Sequence, residues 1–253
     1  MKWVEVVFSP TGGTQKAADL LANGLGEETI QMDLTDSQAN PSALSLQEGD
    51  VVLLAVPSYG GRVPGPAAQR IAALQGNGAD AVLLCVYGNR AYEDTLVELR
   101  DLAVQTGFRV RAAVAAVAEH SIDRQFAAGR PDAQDAAQLA AFAKQIRQKL
   151  ASGDEGEPSL PGNRPYKKSG GSGVVPKPTK DCVRCGLCAR SCPVQAIAPN
   201  DPKEVDGKAC ISCMRCVAVC PHSARKVNPV LLAAVHAMLK KACSDRKACE
   251  LFL

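Results

Sequence analysis

The chain has 253 residues, 46% of them hydrophobic and 22% charged, long enough to bury a real core in one domain or two. No run approaches the ~18 apolar residues of a membrane span, and the opening Met1-Lys2-Trp3-Val4-Glu5 is not a secretory signal, so a cytoplasmic protein with no membrane span is expected. The net charge of +3 divides into 13 basic against 17 acidic residues over 1–150, and 16 against 9 over 151–253. The basic half has no aromatic interleaving and no nucleic-acid motif. Its charge points to partner steering, or to docking on the acidic half, rather than to nucleic acid.

Five apolar runs, Trp3–Phe8, Thr29–Asp33, Val51–Val56, Ala81–Tyr87 and Arg109–Val117, are rich in Val, Leu and Ile without clean alternation. That pattern suits strands covered on both faces. Helical stretches fall between them near Thr14–Leu25, Gly65–Leu74, Tyr92–Gln105 and Ala133–Leu150; Asp36–Leu46 offers a helical turn or two. The alternation predicts a parallel sheet with helices on both faces. Cys85, inside the fourth strand, reads as a small core residue.

The first strand runs through Phe8-Ser9-Pro10-Thr11-Gly12-Gly13-Thr14 into a helix. Hydroxyls of Ser9, Thr11 and Thr14 then stand beside free backbone N–H groups at a helix N-terminus, and Gly12 and Gly13 let the backbone wrap closely around an anion. The loop lacks the Gly-Lys-Ser/Thr ending of a Walker loop and is not G-x-G-x-x-G, so neither a nucleotide loop of that kind nor a dinucleotide is indicated. The run resembles the Ser/Thr-x-Thr-Gly-x-Thr phosphate loop of flavodoxins, and the five-strand alternation resembles their fold over residues 1–151.

That resemblance implies a doubly wound sheet of order 2-1-3-4-5 that binds FMN at the carboxyl edge of its strands. It also implies that the loops after the third and fourth strands sandwich the flavin ring. Carried over by position, Tyr59 and Tyr92 are the stacking candidates, and Ser58, Gly60, Gly61, Gly88 and Asn89 supply contacts to the ring edge. Arg62 either stabilises an anionic reduced flavin or is a solvated guanidinium. His120, just past the fifth strand, either approaches the flavin or is a loop residue without a role.

Residues 152–178 follow, with 15 of 27 being Gly, Pro or Ser, as expected of a linker. Within it, Pro161-Gly162-Asn163-Arg164-Pro165-Tyr166 is the stretch expected to order against a domain surface.

Eight of the 11 Cys lie between Cys182 and Cys220. The pattern C-x2-C-x2-C-x3-C-P occurs twice, the second copy starting 28 residues after the first, as in a duplicated half-domain. Three thiolates at two-residue intervals converge on three corners of one cubane, and the fourth, read as opening a short helix, reaches the other cluster. One 4Fe–4S cluster therefore takes Cys182, Cys185, Cys188 and Cys220, and the other Cys210, Cys213, Cys216 and Cys192. Pro193 and Pro221 end each loop cleanly. Zinc is more often held by two separated Cys pairs. Residues 179–229 resemble a bacterial two-cluster ferredoxin in spacing, duplication and both Cys-Pro steps. His222 either tunes a cluster or faces water.

Over 230–253, Val230–Leu239 reads as a closing helix with one buried face, followed by a polar tail in which Cys243 and Cys249 are incidental. The whole layout resembles the flavodoxin–ferredoxin fusion proteins of anaerobic microbes. It implies an electron carrier that passes electrons between two 4Fe–4S clusters and an FMN and exchanges them with redox partner proteins. The cofactors are either mobile carriers on one string or a fixed internal wire. The alternative is a flavin-dependent reductase of a small quinone-like acceptor, fed by its own clusters.

Overall fold

The computed structural model describes residues 2–26, 29–168, 170 and 173–253. Its first five strands are β1 (Trp3–Val7), β2 (Thr29–Asp33), β3 (Val51–Pro57), β4 (Asp80–Tyr87) and β5 (Arg109–Val117). They pair in parallel in the order β2-β1-β3-β4-β5, which is the flavodoxin-like order, and the parallel doubly wound fold expected from the alternation is the one observed. Every residue of β3 is buried, because helices cover both faces of the sheet. On one face α1 (Gly13–Leu25) and α4 (Ala133–Ser152) contribute Ala17, Leu21, Leu139 and Ile146 to the core. On the other, α2 (Gly65–Ile71) and α3 (Thr95–Gln105) contribute Ala67, Ile71, Leu96 and Leu99. Asp36–Leu46 holds only the short 3-10 turn Pro41–Ala43. Cys85 lies fully buried in this core, and burial raises its thiol pKa. Among the described residues no helix is long and apolar enough to cross a membrane.

The linker does not hang free. Asp94, 1% exposed, accepts the backbone N–H of Asn163 at 2.9 Å and its side-chain amide at 3.1 Å on one carboxylate oxygen, and the N–H of Lys167 at 2.7 Å on the other. Arg164 and Tyr166 both bond Asp101, and Leu160 packs on the core. The ordered stretch predicted at 161–166 is thus bound along α3.

The Lys167 N–H above all, and then the Asn163 groups, hold the Asp94 carboxyl below the usual carboxylate range. A depressed folded pKa contributes stability that is present above the unfolded value and lost as the pH falls through the folded one. The linker should therefore stay docked through the ordinary range, about pH 3.9, and release only below it. Asp94→Ala removes three bonds to a charged acceptor, each worth about 1.5–3 kcal/mol. It should lower the melting temperature and open the segment around Arg164–Lys168 to limited tryptic cleavage; an unchanged digestion pattern would show that the linker is held some other way.

Beyond the linker lie β6 (Lys177–Pro178), α5 (Leu187–Arg190), α6 (Arg215–Ala218), β7 (Arg225–Lys226), α7 (Pro229–Leu239) and β8 (Glu250–Phe252). β6 and β7 pair antiparallel. The duplication is written into the backbone. Positive φ angles recur at Arg184 and Ser212, at Gly186 and Met214, and at Gln195 and Ser223, each pair 28 residues apart. The left-handed Gly186 and Met214 start α5 and α6. Each short helix therefore carries the third Cys of its run and ends before the fourth, which corrects the expectation that the fourth Cys opens the helix. A residue before proline resists the helical region.

Two further expectations about 230–253 are corrected. The polar tail ends in β8, which pairs antiparallel with β5 and makes the sheet six-stranded. Cys243 and Cys249 are packing residues, each 6% exposed: the first sits with Phe126 and Leu239, the second on the α1/α4 face of the sheet. The buried face of α7 is narrow. Leu239 is buried and Val235 half-covered, while Val230 and Met238 are 76% and 72% exposed.

Candidate functional site

The loop after β1 is fixed at both ends by its own hydrogen bonds. The Ser9 N–H donates to Thr35 Oγ1 at 2.7 Å, and Ser9 Oγ accepts the N–H of Gln15 at 2.9 Å. Thr35 is itself fixed by donating its N–H to Asp33 at the end of β2 (2.6 Å). Gly12 takes φ +89°, which turns the chain into α1. Among the described residues no acceptor is recorded for the N–H groups of Thr11, Gly12, Gly13 and Thr14. Free N–H groups, the Thr11 and Thr14 hydroxyls and the positive end of a 13-residue helix together fit a phosphate. Sequence spacing does not mark Thr35 as part of this loop, since its only signal is a lone Thr two residues past β2.

After β3, Tyr59 and Arg62 close a tight turn through two backbone bonds of 3.0 and 3.3 Å. Gly60 and Gly61 form its centre at φ +62° and +83°, the positive values that such a turn demands. Ser58 is tied to Thr95 Oγ1 at 2.8 Å. Arg62 is not a solvated guanidinium: it grips Glu98 through two bonds of 2.7 Å and lies over the Tyr166 ring. Tyr59 faces the cysteine-rich segment, where burial and then the Cys213 thiol raise its phenol pKa well above the ordinary value.

The loop after β4 is turned the other way. The Asn89 side-chain amide donates to the carbonyls of Cys243 and Asp245 at 3.1 and 2.8 Å, and its oxygen accepts the Lys247 N–H at 3.3 Å. Tyr92 stands edge-on to Tyr87 with its hydroxyl donating to Glu250 in β8 (3.1 Å). A Cβ on Gly88 would lie 2.4 Å from the His120 ring, so His120 has a packing role there. Its Nδ1 accepts two backbone N–H groups, and burial lowers its pKa. The structure thus gathers Ser9, Thr11, Gly12, Gly13 and Thr14 into one cradle and sets Tyr59 toward the cysteines. It binds Asn89 and Tyr92 to the C-terminal tail.

The eight cysteines of the repeat surround two cavities. One is lined by Cys182, Cys185, Cys188 and Cys220, with exposed His222 at its rim; the other by Cys192, Cys210, Cys213 and Cys216. Each fourth Sγ lies 3.3–3.4 Å from a backbone N–H, Cys192 from Ala196 and Cys220 from Ala224. Among the described residues no three such side chains converge on a point for a single metal ion; each quartet is spread around a space that suits a four-iron cubane. Burial pushes the Cys213 thiol up to about 12 and that of Cys216 to about 11, so these thiolates form readily only with a cationic partner in the cavity.

The two cavities differ in surroundings. Cys185 is exposed, whereas Cys192, Cys213 and Cys216 are buried. The second cavity lies toward the α/β domain. Ile211 packs on the core beneath the sheet, and Arg215 Nη1 donates to the Pro10 carbonyl of the anion loop at 3.2 Å. Arg70 bridges the halves, donating to the carbonyls of Leu34 and Pro193 at 2.6 Å each. Arg246 forms ion pairs with Asp132 and Asp135, and His236 Nδ1 lies 2.7 Å from Asp123 Oδ2, adding contacts between the basic and acidic parts.

A family model described as a 4Fe-4S dicluster domain matches residues 181–224. A ferredoxin, Fdx2, of Sorangium cellulosum (strain So ce56) is 32% identical over 71 residues, which span 25% of this chain and 70% of that protein. Among solved structures, the flavodoxin of Streptococcus pneumoniae TIGR4 is 20% identical with a TM-score of 0.40, over 58% of this chain and 99% of the other. A flavodoxin from the domain Archaea is 14% identical with a TM-score of 0.42, over 60% and 99%.

Proposed function

Because the chain belongs to the 4Fe–4S ferredoxins through its cysteine-rich segment, we propose that it carries electrons between two 4Fe–4S clusters and an FMN and exchanges them with redox partner proteins. In this reading Cys182, Cys185, Cys188 and Cys220 hold an outer cluster, and Cys192, Cys210, Cys213 and Cys216 an inner one. FMN takes one or two electrons when bound and each cubane one, so the pair can divide or collect an electron pair.

The chain's own residues then have separate tasks. Thr11, Thr14 and the free N–H groups of 11–14 hold the phosphate. Arg215, the first residue of α6 two positions after Cys213, steadies the Pro10 carbonyl and so ties the inner cluster's loop to the phosphate cradle. Tyr59 is the stacking residue retained, because it stands beside Cys213; Asn89 and Tyr92 serve the tail. Ile211 keeps water from the junction by packing on the core. The observation that carries the reading is the burial of Cys192, Cys213 and Cys216 of the inner quartet on the side of the anion loop and Tyr59, while the outer quartet keeps Cys185 exposed for a partner. Residues 1–151, with the linker and the tail 230–253 fastened to them, form the flavin unit, and 179–229 the cluster unit.

The test is anaerobic purification with iron, acid-labile sulfide and extracted flavin measured per chain. About eight iron, eight sulfide and one FMN are expected. Eight iron and sulfide with no flavin, even after FMN is added, would leave a two-cluster ferredoxin carrying a domain for structure or partner binding.

A further inference from the structure

Arg225 is 2% exposed and lines both cysteine cavities at once. Only part of its guanidinium is used: Nη1 donates to the Pro202 carbonyl at 2.5 Å, while Nε and Nη2 are buried with no hydrogen-bond partner. Leaving two donors of a buried guanidinium without partners is unfavourable, and such orphaned donors call for an explanation. The position 28 residues earlier, its equivalent in the duplicated half, is the buried Ile197. At this position, between the two quartets, the second half carries a buried cation where the first carries a hydrophobe.

We infer that Arg225 is a shared tuning residue: its Nε and Nη2 groups hydrogen-bond cluster or cysteinyl sulfur, and its charge stabilises the reduced, more negative state of both clusters. The inference rests on the two-cluster reading alone and does not depend on the flavin. Reduction adds one negative charge to a cluster, and a fixed cation in a low-dielectric site favours that state and raises the potential. Hydrogen bonds to sulfur act in the same direction, as outer partners do at metal sites generally. Because one guanidinium faces both cavities, its removal should move both couples together, whereas a residue serving one cluster would move one.

The experiment is an EPR-monitored redox titration of the full chain with its clusters, comparing wild type, Arg225→Gln and Arg225→Lys. The Gln variant should disfavour reduction of both clusters about tenfold, which for a one-electron couple is about 59 mV toward lower potential, with iron content unchanged. The Lys variant should recover most of that shift, since it keeps the charge. Unchanged potentials in a fully loaded Gln variant, or a shift confined to one cluster, would overturn the inference. If the Gln variant does not retain its iron, wild-type protein labelled with 15N-arginine decides: guanidinium nitrogen coupling to both reduced clusters is expected, and coupling to neither or to only one overturns it.

Discussion

Replacing Cys213 by alanine should halve the bound iron, from about eight to about four per chain, and stop the flavin from being reduced through the clusters. Cys213 is buried in the inner quartet beside Tyr59, two residues before Arg215, which touches the Pro10 carbonyl. No other quartet lies between the exposed Cys185 and the anion loop among the described residues. Cys185→Ala offers the contrast. It should also remove about four iron, but from the cavity that faces solvent, and so block entry from a protein partner while leaving the inner exchange intact. Anaerobic stopped-flow reduction separates the two: a small mediator should rescue flavin reduction in the Cys185 variant and leave the Cys213 variant dependent on direct attack at the flavin. Wild-type flavin reduction by a reduced partner in the Cys213 variant would reverse the proposed order of the centres. Part of the loss should be structural, because the apolar core around these cysteines is a small cluster centred on Ala189, Ala196 and Ile197, and such segments depend on their metal to fold.

The second large effect is expected at the anion loop. Thr11→Ala combined with Thr14→Ala removes two hydroxyl donors to a dianionic phosphate, each worth about 1.5–3 kcal/mol when the partner is charged. At about 1.4 kcal/mol per tenfold, FMN affinity should fall by roughly two to four orders of magnitude, read by quenching of flavin fluorescence on binding. Riboflavin, which has no phosphate, should bind wild type and variant alike, and iron content should not change. Thr14 is 4% exposed, so a small loss of thermal stability should accompany the change. Equal FMN affinity in the two proteins would remove the phosphate assignment and leave the loop as a helix cap.

Much of this was legible in the sequence because its signals are local. The five parallel strands announced themselves as apolar runs between helices, and the bounds of β2 and β5 fall where the sequence placed them. The cysteine spacing is local too, and the two quartets it grouped surround the two cavities. What escaped depends on residues far apart in the chain. β8 is three residues long and pairs with Ala113–Ala115, so neither composition nor periodicity marks it. The tail also gives Asn89 and Tyr92 bonding partners that no local signal announces, about 155 residues away. The exposure of Val230 and Met238 was equally hidden, because apolar spacing in α7 reports a capacity to bury a face and not the supply of a surface to bury it against. Arg225 was invisible for a different reason. A lone Arg after a Cys-Pro run looks like any solvated charge until the fold encloses it.

The pairing of β8 with β5 has a kinetic consequence. The cluster-bearing segment leaves the α/β domain through a linker fastened to Asp94 and returns to the same sheet at Glu250. It is held at both ends, like a clasp, and does not swing on a single string. Two centres on one pinned body meet at an effective concentration that no dilution lowers. Exchange inside the chain should therefore be first order and indifferent to protein concentration, while exchange with an external partner alone follows mass action and salt.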